Sequence, residues 1–220
     1  CPYQSPTDMG VNMAGNCIVD DEVCREASRQ EIIRRYYQAL TGRLEETSTQ
    51  EEIFKLELLM KQAGISPENR KVTVAAKERA EETGSPAAAI ELEDGRILTG
   101  KTSDLLGASA ALLLNTLKEL AGIQHKIHVI SPVAIEPIQK LKTAYLGSKN
   151  PRLHTDEVLI ALSSSAATSD IAKLALEQLP KLKGCQVHSS VMLSSVDKNI
   201  FKKLGVQLTC ERVYEHRKLY

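Results

Sequence analysis

The chain has 220 residues, and its 28 Lys and Arg are matched by 28 Asp and Glu, so length allows one large domain or two small ones. Zero net charge excludes a dedicated nucleic-acid or membrane-surface binder, which needs a positive excess. The 42% hydrophobic and 25% charged content excludes disordered, collagenous and coiled-coil classes, and with no Trp and 4% aromatics a base-stacking platform is not expected.

Residues 1–19 carry Pro2, Pro6, Gly10 and Gly15 without a clear period and read as an ordered loop. Asp20, Asp21 and Glu22 then open a helix, with Val23, Ala27, Ile33, Tyr37 and Leu40 at helical spacing and Gly42 as its stop. Ser48 with Glu51 forms a capping box for a helix closed by Gly64. Ser66-Pro67 starts a third helix, which runs to Gly84.

The pattern changes at Ser85-Pro86. Residues 87–92 read as a strand, Asp94-Gly95 as a tight turn and residues 97–101 as the return strand. Thr102, Ser103 and Asp104 then cap a buried helix over 105–120. Residues 126–130 read as a strand, and Ser131-Pro132 starts a helix bent by Pro137 and reaching Leu146. Thr155 and Ser169 open two more helices. Residues 187–193 read as a strand, 195–205 as a short helix, and Val206, Leu208 and Cys210 as a last strand. This order implies an α/β fold, with a mixed five-stranded sheet, helices on both faces and each later strand parallel to its neighbour. Two parts are expected: a loop and three-helix segment over 1–84, and an α/β sandwich over 85–220.

Cys1, Cys17, Cys24, Cys185 and Cys210 are odd in number and form no C-x-x-C pair, which points to free thiols in a reducing compartment. No apolar run approaches the roughly 18 residues of a membrane helix, and there is no signal peptide. The opening Cys1-Pro2-Tyr3, without Met, reads as a piece of a longer protein. The other readings of Cys1 are a lipid-bearing residue or an N-terminal nucleophile, and Pro2 fits the second poorly.

The loudest motif runs from Gly95 to Thr102 and fits G-x-x-x-x-G-K-[ST], the phosphate-binding loop. A hairpin competes with it, because Ile97 and Leu98 are bulky where such a loop is small and flexible. Under either reading Lys101, Thr102 and Ser103 are placed at a helix N-terminus, where an anion would bind. Ser5, Thr7, Asp8 and Asn12 stand between glycines in a loop that either cradles a ligand or satisfies its own backbone. The five histidines are scattered. His125 and His128 point to opposite faces, His188 suits ordinary hydrogen bonding within a strand, and His154-Thr155-Asp156 suits a helix cap. No metal site is expected. Ser163-Ser164-Ser165 lacks the setting of a serine nucleophile.

Two families resemble these segments. Residues Ala87–Ile90, Asp94–Ile97, Thr99-Gly100 and Ile130–Pro132 are similar in order to the cytidine-deaminase fold. The positions of its zinc ligands, however, read Gly107-Ala108-Ser109-Ala110 and Val133-Ala134-Ile135-Glu136, which supply no thiolate or imidazole. The second resemblance covers essentially the whole chain. Ser5–Gly15, Gly100–Ser103, Asn150–Glu157 and His188–Ser194 resemble the C-terminal half of the bacterial domain-of-unknown-function family 1846. That resemblance implies a cytoplasmic protein of about twice this length. Its missing N-terminal half carries a Gly-rich loop, so any nucleotide cofactor would be bound mainly there.

Three functions follow as expectations. The first is an enzyme linked to a nucleotide or phosphate, its site shared with the missing half, with Ser5, Thr7, Asp8 and Asn12 lining the cleft and Lys101, Thr102 and Ser103 adding an anion contact. The second is a non-catalytic assembly domain, with the helices over 20–84 as the interface of a homo-oligomer. The third is a zinc-free small-molecule binder of the deaminase fold. The partner expected in each case is the rest of the full-length chain, with no nucleic acid and no membrane.

Overall fold

The computed structural model describes residues 21–215. These fall into two compact units, one ending at Arg70 and the other beginning at Lys71. Ser5, Thr7, Asp8 and Asn12 lie outside the described residues.

The first unit is a helical pair, α1 (Asp21–Leu44) and α2 (Gln50–Ala63). Acidic Asp21 and Glu22 occupy the first turn of α1, where they complement the helix dipole. The apolar period brings Ile33 and Tyr37 of α1 onto Met60, and Ala39 onto Ile53 and Leu56. Two local expectations shift. Helix α1 passes through Gly42 and ends at Leu44. The cap of α2 is Thr49 rather than Ser48, its hydroxyl accepting the Glu52 N–H at 3.2 Å. Gly64 closes α2, and a 3-10 turn over Pro67–Asn69 follows.

The second unit is α/β. Its elements are α3 (Lys71–Thr83), β1 (Ala87–Glu91), β2 (Ile97–Lys101), α4 (Ala108–Leu120), α5 (Pro132–Lys140) with a π-helical turn at Leu141–Tyr145, α6 (Thr155–Ala166), α7 (Asp170–Leu176), a 3-10 turn at Leu179–Leu182, β3 (Gln186–Ser189), α8 (Ser195–Lys203) and β4 (Gln207–Cys210). Among the described residues the sheet has four strands in the order β2-β1-β3-β4. Strand β1 is antiparallel to both neighbours, and β3 is parallel to β4.

Alternation along β1 serves two layers. Ala88 and Ile90 join the main core with Leu112, Leu117, Leu162 and Phe201. Ala89, on the opposite face, meets Val72 and Ala76 of α3. Alanine is a poor strand former, but here three consecutive small residues let helices approach from both sides. Helix α3, which follows the first two helices in sequence, packs on this sheet rather than standing with them.

The fifth strand and the deaminase-like order are not formed. Residues 126–130 are turns and bends, following a turn that closes at Ile127. The Ile127 N–H donates to the Gln124 carbonyl at 3.0 Å, and Lys118 Nζ holds the His125 carbonyl. Only Val129 and Ile130 are buried there. The expected parallel pairing next to β1 is also replaced, since β3 runs antiparallel to it.

The Gly95–Thr102 motif is a hairpin. The strands pair in register from Ala87 opposite Lys101 to Glu91 opposite Ile97. At the turn Gly95 adopts φ +81°, and the Leu92 N–H bonds the Arg96 carbonyl at 2.9 Å. Gly100 is explained by packing. A Cβ there would stand 2.2 Å from the Leu112 backbone nitrogen, so α4 crosses β2 where only hydrogen fits.

Candidate functional site

Because β2, β3 and β4 run in one direction, their carboxyl ends lie at one edge of the sheet. That edge is where open α/β sheets place their ligands. Three segments leave it: 102–107 after β2, 190–194 after β3 and 211–215 after β4. A fourth, residues 152–155, touches the first and the third, and also α8, which follows the second. Leu153 forms a parallel bridge with Leu106, its N–H donating to the Leu105 carbonyl at 2.9 Å. Thr155 reaches Asp197 in the first turn of α8, and Arg152 reaches Glu215. The segments after β3 and β4 are tied to each other by the Met192 N–H on the Val213 carbonyl, at 2.7 Å.

At the centre is a histidine–aspartate pair. His154 Nδ1 lies 3.0 Å from Asp197 Oδ2. The other carboxylate oxygen accepts both the backbone N–H and the hydroxyl of Thr155, each at 2.9 Å. The Ser194 hydroxyl donates to Oδ2 at 2.8 Å and, as the cap of α8, accepts the Asp197 N–H at 3.1 Å. Asp197 is buried, and burial alone would raise its pKa. The bonds from His154, Thr155 and Ser194 outweigh that and hold it down to about 2. The same contact raises the pKa of His154 against the cost of its own partial burial. A carboxylate facing Nδ1 fixes the proton there and leaves Nε2 as the acceptor nitrogen. Among the described residues Nε2 has no hydrogen-bond partner, and the ring is 31% exposed.

A second set of charges braces this pair. Lys142, in the π-helical turn, is buried and donates to the Arg152 carbonyl at 2.6 Å and to Glu157 Oε2 at 2.8 Å. The same oxygen accepts the His154 N–H at 2.7 Å. Arg152 donates from Nε to the Ser103 carbonyl at 2.9 Å and from Nη1 to Glu215 at 2.8 Å. With Asp197 occupied by donors and Glu157 paired with Lys142, the arrangement can present an oriented imidazole and a guanidinium to a ligand.

The residues expected from sequence fall differently. Helix α4 begins at Ala108, capped by Gly107, so Lys101, Thr102 and Ser103 are not at a helix N-terminus. Lys101 ends β2 and is exposed. The Thr102 N–H is used by the Pro86 carbonyl, and the Ser103 N–H by that of Leu106. Ser103 does reach the site, through its carbonyl on Arg152. His154 occupies the cap position of α6 as its local sequence suggested, but its ring is directed to Asp197, 43 residues further on. No local pattern marks that pairing.

His188 is buried in the sheet, 2.9 Å from Thr209 Oγ1 and 3.4 Å from Glu211. A hollow of about 430 Å³ opens between α1 and α2, with Arg35, Gln38, Glu52 and Lys55 in its wall, but Arg35 there is an exposed helix residue paired with Glu31. Among the described residues no group of His, Cys, Asp and Glu is placed to hold a metal ion, Cys24, Cys185 and Cys210 form no disulfide, and no helix is long and apolar enough to cross a membrane.

Three of the segments that carried the second resemblance, Gly100–Ser103, Asn150–Glu157 and His188–Ser194, are the ones that meet at this edge. The whole chain supports that likeness. Residues 68–220 match the domain of unknown function DUF1846, C-terminal, and residues 1–64 match the domain of unknown function DUF1846, N-terminal. The gap between the two matches falls beside the division of the structure at Arg70. The UPF0371 protein CE2832 of Corynebacterium efficiens is 59% identical over 219 residues, covering 100% of this chain. The UPF0371 protein SUB1165 of Streptococcus uberis is 53% identical over 219 residues and also covers 100% of the chain. The chain spans 44% of the length of each. Neither the family nor these relatives has an established function. The chain is a member of the bacterial DUF1846 family.

Proposed function

We propose that this chain is part of a larger enzyme, in which the edge of the sheet at the carboxyl ends of β2, β3 and β4 supplies acid–base chemistry to a small-molecule substrate. His154 is the residue that moves the proton, through Nε2, and Asp197 is the positioning residue that fixes its tautomer. The observation that carries this reading is the single segment 152–155, which meets the segments after β2 and β4 and the first turn of α8, and holds an oriented histidine on Asp197. The rest of the longer, cytoplasmic protein would bind most of the substrate, and a nucleotide or other phosphate-bearing molecule remains the class proposed for it.

The test is turnover. Full-length protein is incubated with a metabolite extract, and the products are followed by mass spectrometry. At least one compound is consumed by the wild type and spared by His154→Gln, with Asp197→Asn slowed in between. Equal consumption by wild type and His154→Gln sinks the reading.

An assembly role has one observation in its favour. Phe54 and Leu58, one turn apart on α2, are 63% and 47% exposed on the side away from Ile53, Leu56 and Met60, an apolar pair suited to a homo-oligomer contact.

A further inference from the structure

We infer that Arg152 and His154 form a binding site for one anionic group, a phosphate or a carboxylate, and that the Glu215 carboxylate holds the place of that group. The inference rests on the reading of this edge as the ligand site and adds what the site takes.

The geometry starts from Leu153. Its side chain is fully buried and its backbone is paired with Leu106. In an extended segment the residues on either side project the other way, so Arg152 and His154 share the outer face, roughly 7 Å apart along the chain. Both are cationic or readily made so: the guanidinium is always charged, and the contact with Asp197 raises the His154 pKa.

Two acidic groups beside this face are already committed to other donors. Asp197 is committed to Thr155, Ser194 and the far nitrogen of His154. Glu157 is committed to Lys142 and to the His154 backbone. A third carboxylate, Glu215, comes from the segment after β4 and meets Arg152 through Nη1 at 2.8 Å. Arg152 does not need Glu215 to stay in place, because Nε is fixed on the Ser103 carbonyl. The fork is therefore pre-oriented, with one arm carrying a carboxylate that is itself 39% exposed. A phosphate brings more charge and more acceptor oxygens than the single oxygen Glu215 supplies, and it can span toward His154. Such a group displaces Glu215, while the chain stays pinned two residues earlier by the bond from Met192 to Val213.

The experiment is calorimetric titration of inorganic phosphate, and separately of acetate, into the full-length protein. Glu215→Gln is expected to bind one of the two ions roughly three- to tenfold more tightly than wild type, because a competitor is gone. Arg152→Gln is expected to lose at least about tenfold in affinity for the same ion, with Arg152→Lys keeping part of it. A gain confined to phosphate assigns a phosphate-bearing ligand, and one confined to acetate assigns a carboxylate. Unchanged affinity in Glu215→Gln, a lateral surface change that leaves the fold intact, overturns the inference, as does full binding by Arg152→Gln. If turnover is lost in His154→Gln while Glu215→Gln binds as wild type, this inference fails and the proton-transfer reading stands. If the Glu215→Gln gain is present while His154→Gln turns over normally, the reverse holds.

Discussion

Two histidines in the same unit are each set against a carboxylate, and their surroundings separate a structural role from a chemical one. His188 lies within β3, fully buried, between Thr209 and Glu211, and Glu211 is also held by Lys77 at 2.8 Å. Burial pushes the pKa of Glu211 up, but His188 and Lys77 together bring it down to about 2. The ring of His188 itself is closed off from solvent. His154 has the same partner chemistry at the end of the sheet, where one ring nitrogen is fixed and the side chain is 31% exposed. The difference between them is access rather than strength of pairing, so perturbation of the carboxylate alone does not identify a working site.

The comparison breaks most sharply at Asp197. Asp197→Ala strands the Thr155 N–H and hydroxyl and the Ser194 hydroxyl in a buried place, and about 3 kcal/mol of stability is expected to be lost, read from urea denaturation. A loss below about 1 kcal/mol would show that Asp197 does not organise the edge. A smaller cost, about 2 kcal/mol, is expected for His188→Ala. Both of its neighbours keep another partner, Thr209 on the Val187 carbonyl and Glu211 on Lys77, so most of the loss is the cavity. A cost exceeding that of Asp197→Ala would reverse the ranking of the two regions.

The smallest effect is in pH. The pKa of His154 is raised in the folded chain, so the stability it contributes is fully present below its ordinary value near 6.5 and disappears as pH rises through the folded value. Asp197 behaves oppositely. Its contribution is present above the ordinary 3.8 and is lost as pH falls toward about 2. Comparing the denaturation midpoint of wild type and Asp197→Asn on the alkaline side of neutrality is therefore expected to show a decline in the wild type that the variant lacks. Parallel curves would mean that His154 is not coupled to Asp197.

Much of the fold was legible from local chemistry. Asp94-Gly95 marked the hairpin, Gly64 the end of α2, and Ser195 to Gly205 the last helix, because each signal sits within a few residues of its effect. Residues 126–130 misled because two buried apolar residues resemble a strand whether or not a ladder receives them. Lys118 and Gln124 decided the outcome through bonds that composition does not show. The site was legible only in pieces. Asn150–Glu157 stood out as a segment, and His154 as a cap, but its partner is distant in sequence. The G-K-T string drew attention to Lys101–Ser103 for a reason that proved to be packing.

Gly100 thus acts as a gauge for the far edge of the unit. The spacing of α4 from β2 is set by a single hydrogen atom, and both elements lead directly into the turn that carries Leu106 to Leu153. Any side chain there would work as a wedge, levering the first turn of α4 away from the strand and widening the gap that Arg152 closes on the Ser103 carbonyl. The placing of the turn that meets Leu153 is in that sense machined into the last residues of β2, several residues from any group that would touch a ligand.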